Sequence, residues 1–160
     1  MSSPRRREFP VSRSQTEMTE IVMPNDANPL GNLMGGRLMH FIDMVAAVAA
    51  GRHARGPVVT ASVDRLDFHH PVVVGSVLVL KASVNFAGTT SMEVGVKCWA
   101  EDRSSLSRYH VASAYLTFVA LDASTGRPTH VPRLQAKTAE QKRRFDDGQR
   151  RRKSRLAERA

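Results

Sequence analysis

Gly35-Gly36-Arg37-Leu38-Met39-His40-Phe41-Ile42-Asp43-Met44-Val45-Ala46-Ala47-Val48-Ala49-Ala50 is the stretch on which the fold turns. Its length and composition predict a helix over Arg37–Ala50. Leu38, Met39, Phe41, Ile42, Met44, Val45 and Val48 cover almost every face of that helix, so it is expected to be buried nearly all round. Gly51 and the basic pair Arg52 and His53 fit its C-terminal end. A helix that is apolar on nearly all faces has to be wrapped.

The wrapping lies on both sides of it. Before the helix, Glu17–Pro24 reads as a short strand that ends in a turn-rich stretch running to Asn32. After it come four strand candidates. Val58–Phe68 is polar-mixed. Ser76–Phe86 alternates, with Leu78, Leu80, Ala82, Val84 and Phe86 on one face. Ser91–Glu101 does the same with Met92, Val94, Val96, Cys98 and Ala100, and Tyr109–Leu121 is rich in β-branched and aromatic residues. Short turns between the strands favour an antiparallel sheet. The expected class is α+β: a curved antiparallel sheet wrapped around one long buried helix. One sheet leaves one helix face uncovered, and a second copy of the chain would close it.

Residues 1–14 are Arg-, Ser- and Pro-rich and read as a loose arm. Residues 15–128 form the domain, and 129–160 a basic helical tail in which Gly148 reads as an interruption. The 160 residues carry a net charge of +9, but 1–26 balance, 27–132 contribute +2 and 133–160 contribute +7. The body is ordinary for a soluble domain, and the basicity belongs to an appendage. Phe145 is the tail's only aromatic residue, so base-stacking recognition of nucleic acid is not expected. No apolar run is long enough to span a membrane, and no apolar segment follows the basic N-terminus as in a secretory signal. With Cys98 the only cysteine, no intrachain disulfide forms, and the expected location is cytoplasmic.

Asp43 is the most informative position. Besides His40 it is the only ionisable residue between Leu38 and Ala50. Burying a carboxylate costs several kcal/mol unless it is paired or protonated, so it is either a base of raised pKa or an acid at a dimer seam. Gly35-Gly36 opens the same helix, and free N–H groups there can receive an oxyanion or simply make a turn. Asn28 and Asn32 in the preceding loop can orient a water or carbonyl, or serve as Asx-turn residues. His69-His70 point opposite ways on a strand and lack a third ligand, so no metal is expected. Cys98 reads as core. Nucleotide-hydrolase, zinc-protease and dinucleotide-binding motifs are absent.

Pro24-Asn25-Asp26-Ala27-Asn28-Pro29-Leu30-Gly31-Asn32, Gly35-Gly36 and Phe41-Ile42-Asp43 resemble the opening of the hotdog-fold acyl-CoA thioesterases, acyl-CoA hydrolase type. Val59–Asp64, Phe68-His69-His70-Pro71, Gly75 and Ser91-Met92-Glu93-Val94 continue the resemblance, which spans about Met18 to Leu121. It implies a hotdog fold, hydrolysis of acyl-CoA to a free acid and CoA, and no required cofactor beyond the CoA of the substrate. It further implies Asp43 as general base or nucleophile and Asn28 as an amide from the partner subunit, with Asn32 as fallback. The Gly36 N–H would polarise the thioester carbonyl. Thr60, Ser62, Gly88, Thr90, Ser91 and Met92 would line the CoA channel, and the dimers would assemble as a trimer of dimers. Two rivals are an acyl-CoA sensor that does not hydrolyse, which would not need Asp43, and a dehydratase using His69 or His70.

Overall fold

The structure is a computed structural model and describes residues 5–160; the first four residues of the expected arm lie outside the described residues. Five antiparallel strands form one sheet in the order β2–β4–β5–β6–β3: β2 (Thr16–Ile21), β3 (Val58–Phe68), β4 (Val77–Ala87), β5 (Ser91–Glu101) and β6 (Arg108–Ala120). The helix α1 (Gly35–Ala54) lies along one face of the sheet. Its Leu38, Ile42 and Val45 pack with Leu80, Val84, Val94, Val96, Leu116 and Phe118, all fully buried. No helix among the described residues is long and apolar enough to cross a membrane.

The strand alternation translates directly into this core, with one exception. Leu78, Leu80, Ala82 and Val84 face α1, but Phe86 does not. Val84 opposes Val94 while Phe86 opposes Glu93, so Asn85 is an extra residue, and this bulge turns Phe86 to the other face. There it meets Phe145 of the C-terminal helix α2 (Ala139–Glu158), ring centroids 5.0 Å apart. Gly148 does not interrupt α2. It is buried at the crossing, where a Cβ would lie 2.9 Å from Phe86 Cβ. A capping box between Thr138 and Gln141 starts the helix. Arg151 then pairs with Glu93 at 2.7 Å and Arg155 with Asp64 at 2.6 Å, so α2 crosses the sheet from β4 to β3.

Three expectations change. Helix α1 runs one turn past Gly51, because Ala49, Ala50 and His53 are buried, and it ends where Arg55 adopts φ 58°. It is buried on one face rather than all round: Met39, Met44 and Val48 are exposed in the single chain, since one sheet covers only one side. Residues 8–14 are not a loose arm. Strand β1 (Glu8–Pro10) pairs in parallel with β7 (Arg133–Gln135), Val11 is buried, and the Ser14 hydroxyl accepts the Val84 N–H at 2.9 Å. Three-residue strands carry no periodicity by which a sequence could reveal them.

His53 makes the fold sensitive to acid. Its Nε2–H donates to the Pro132 carbonyl at 2.9 Å and its buried Nδ1 has no partner, so the ring sits neutral. Burial lowers its pKa against the weaker opposing effect of that hydrogen bond, and the nearby Arg13 and Arg6 charges lower it further. A depressed base contributes stability that is complete above its unfolded pKa, near 6.5, and is lost as pH falls through that value toward the folded one. Denaturation midpoints are therefore expected to drop as the pH falls below about 6.5, and less steeply in His53→Gln.

Candidate active site

The site elements sit along the open side of α1. Met34 caps the helix without a side-chain hydrogen bond, and its carbonyl accepts both the Arg37 and the Leu38 N–H at 3.0 Å. The Gly35 and Gly36 N–H groups are left pointing out of the helix start with no acceptor among the described residues. Space beside Gly36 is open, and the Phe68 ring closes over Gly35, 3.4 Å from where a Cβ would be. Aligned peptide dipoles make this end attractive to negative charge.

Asn28 serves the loop and the site together. Its Oδ1 accepts the Leu30 N–H at 3.0 Å and the Asn32 N–H at 3.2 Å, which is Asx-turn chemistry. Two N–H donors fix the amide orientation, so Nδ2 is the end left to donate. Asn32 is used through its backbone: its carbonyl accepts the Asn28 N–H at 2.8 Å. A cavity of about 280 Å³ brings Asn28, Asn32 and Gly35 together with Phe68, His69 and His70.

Asp43 does not line that cavity. It is exposed, so the desolvation expected of an all-round buried helix is not supplied by this chain. Its Oδ1 accepts the Thr60 hydroxyl from edge strand β3 at 2.6 Å. Seven residues at 1.5 Å rise put Asp43 about 10 Å along the axis from Gly36, too far for both to reach one carbonyl from the same subunit. The uncovered surface around Asp43 is apolar, with Met39, Met44 and Val48 on α1 and Val63 on the same face of β3.

The remaining residues scatter. Gly88 and Ser91 close the β4–β5 hairpin through an N–H···O bond of 2.8 Å, and the Thr90 carbonyl accepts the Ala120 N–H. Arg6 donates to the Gly88 and Thr89 carbonyls, and Arg152 Nε lies 3.6 Å from where a Gly88 Cβ would be, cations that sequence reading did not associate with this turn. Ser62 is on the opposite sheet face from Thr60, because Ala61 is bulged; its hydroxyl is buried without a partner, as is that of Thr117 opposite it. Met92 is buried in the core, which corrects its expected place in a channel wall: the alternation that puts it on the α1 face also hides it. His69 packs against His110 with ring centroids 4.8 Å apart, and His70 Nδ1 is bonded to the His110 carbonyl at 3.0 Å. Burial pushes the Cys98 thiol up to about 12, an inert core residue.

A profile of the thioesterase superfamily matches residues 30–107. The chain is 42% identical over 128 residues to the uncharacterized acyl-CoA thioester hydrolase YkhA of Bacillus subtilis, covering 80% of this chain and 74% of that one. The chain belongs to the thioesterase superfamily. Among solved thioesterases, an apo-hexameric acyl-CoA thioesterase matches it with a TM-score of 0.91 at 38% identity, over 96% of this chain and 98% of that one. An acyl-CoA hydrolase from Staphylococcus aureus, in complex with butyryl coenzyme A, coenzyme A and coenzyme A disulfide, matches at 39% identity and a TM-score of 0.87, over 95% and 92%. The expected hotdog architecture is therefore the one this thioesterase has: five antiparallel strands, the long helix across them and the C-terminal helix.

Proposed function

We propose that this thioesterase hydrolyses acyl-CoA to a carboxylic acid and CoA, at sites each built from two subunits. The observation that carries the two-subunit arrangement is the separation of the groups along α1. Gly36 N–H and Asn28 Nδ2 stand at one end of the helix, and the Asp43–Thr60 pair stands two turns away on an uncovered apolar face. Two copies related by a two-fold axis, joined through edge strand β3 and the open side of α1, bring Asp43 of one subunit to the helix start of its partner. Pairing of this kind also covers Met39, Met44 and Val48 and removes water from around Asp43. The oligomer is a dimer of this type assembled as a trimer of dimers, in keeping with the hexameric relative.

In this arrangement the thioester oxygen lies at the Gly36 N–H and the α1 N-terminus, which stabilise its developing charge. The Asn28 amide donates to the same carbonyl or holds the attacking water. Asp43 then works by one of two routes. As general base it takes a proton from water as that water attacks, and the proton passes to the CoA thiolate as it leaves. As nucleophile its carboxylate displaces the thiolate to give a mixed anhydride, which water cleaves to regenerate Asp43. Both consume one water per turnover, and labelled solvent oxygen appears in Asp43 only on the second route. Thr60 holds the carboxylate in position. The Gly88, Thr90 and Ser91 turn, with Arg6 and Arg152 beside it, forms the CoA entry.

Thiol release measured over short- to long-chain acyl-CoAs tests the activity. Turnover of at least one chain length is expected. Acyl-CoA binding without thiol release would replace the enzyme by a sensor. Thr60→Val is expected to lower kcat by about tenfold while leaving KM within about twofold, since it loosens Asp43 without touching the CoA entry.

A further inference from the structure

On the sheet face opposite α1, helix α2 covers only part of the strands and leaves a cavity of about 650 Å³. That volume is within the range of small-ligand pockets, about 300–1,000 Å³. Lys81, Lys97, Arg143, Arg144 and Arg151 line it, against Glu17 and Asp147. Arg144 is paired with Glu140, Arg151 with Glu93, and Asp147 with Arg150. Lys81, Lys97 and Arg143 have no ion-pair partner among the described residues.

The strand register points to an anion. Glu17, Lys81, Lys97 and Ser113 form one row across β2, β4, β5 and β6, so the two lysines are directly opposed. Like charges in that relation destabilise a sheet. Glu17 offsets the charge of Lys81 from its far side, but Lys97 is flanked only by Lys81 and the uncharged Ser113. Two residues on from Lys97 the Trp99 side chain lines the same cavity, with Lys81 Nζ 5.7 Å from its ring centroid. Tyr115 adds a second flat ring, and Ser83, Asn85 and Ser113 add neutral polar groups.

We propose that this groove binds a small phosphorylated ligand with an aromatic ring, of the nucleoside diphosphate class. Its phosphates sit between Lys81, Lys97 and Arg143, and its ring lies along the Trp99 wall. The sheet separates the groove from Asp43 and from the start of α1, so the proposal stands independently of the hydrolysis reading. Free nucleotide and the nucleotide end of coenzyme A share this chemistry.

Trp99 is the chain's only tryptophan, which makes its fluorescence a local reporter. The full-length protein is titrated with ADP, inorganic pyrophosphate and adenosine. A saturable change is expected with ADP, weaker binding with pyrophosphate, and none with adenosine. The double substitution Lys97→Gln, Arg143→Gln is expected to weaken ADP by about tenfold or more with its circular dichroism unchanged. No saturable response in wild type, or an unaltered Kd in the double variant, would overturn the site. Equal affinity for pyrophosphate and ADP would overturn the part assigned to the ring. Repeating the ADP titration under saturating CoA separates the two sources: a persisting response assigns the groove to free nucleotide, and a lost response assigns it to coenzyme A.

Discussion

Asp43→Ala is expected to lower thioester turnover by about 10²–10⁴-fold, the usual contribution of a positioned acid–base group or more. The side chain is exposed in the subunit and contributes nothing to the core between α1 and the sheet, so the fold should survive. CoA binding should survive as well, because the proposed entry at the β4–β5 turn is built from other residues. Asp43→Asn sharpens the result. It keeps the shape and can still accept from Thr60 Oγ1, yet it can neither take a proton nor form an anhydride. An equal loss in both variants assigns the effect to the carboxylate's chemistry rather than to its packing. Thiol release by either variant within about threefold of wild type would remove Asp43 from the mechanism.

The largest structural effect should come from Gly148→Leu. A Cβ there meets Phe86 Cβ at 2.9 Å and Glu93 Oε1 at 3.2 Å. Phe86 Cβ is carried rigidly by the strand, so α2 has to lift. Lifting breaks the two Arg151–Glu93 hydrogen bonds, 3.0 and 2.7 Å, and withdraws Arg151 from the Tyr115 ring 3.7 Å below it. Glu93 is only 2% exposed and would keep only the Asn85 amide at 3.2 Å. Overpacking costs about 1–3 kcal/mol and a broken buried pair about 3–5, and because the two overlap the expected loss is about 3–5 kcal/mol. Chemical denaturation reads the total. Limited trypsin digestion reads where it falls, with early cleavage at Arg150–Arg155 expected in the variant. Unchanged stability and an equally resistant tail would mean that α2 is not seated on β4 in solution.

These two positions also mark what a sequence makes visible. Ser91–Glu101 was legible to the residue, because apolar and polar side chains alternate without a break along a strand with one buried face. Ser76–Phe86 was legible until Asn85, where one extra residue sends Phe86 to the wrong face for any strict period of two. Gly148 reads as a helix breaker from propensity alone; only the approach of β4 shows why a side chain is excluded. At the site, Asp43 was conspicuous as a lone acid in an apolar helix, and Asn28 as an amide beside Pro29 and Gly31. The link from Thr60 to Asp43 was not, since a threonine on a strand is ordinary and the contact spans 17 residues of sequence. How far Asp43 stands from Gly36 follows from helix rise once the helix is granted, and it is this distance that the proposed two-subunit site spans.

Subunit complementation tests that arrangement most directly. Asp43→Ala and Asn28→Ala proteins are each prepared, shown to release little thiol from acyl-CoA, then dissociated, mixed and reassembled. A mixed dimer pairs the intact Asp43 of one subunit with the intact Asn28 of the other at one of its two sites, and both substitutions fall at the second. Random reassembly is therefore expected to restore about a quarter of wild-type turnover. Activity of the mixture no higher than the average of the two separate variants, with mixed dimers shown to have formed, would contradict a site shared between subunits.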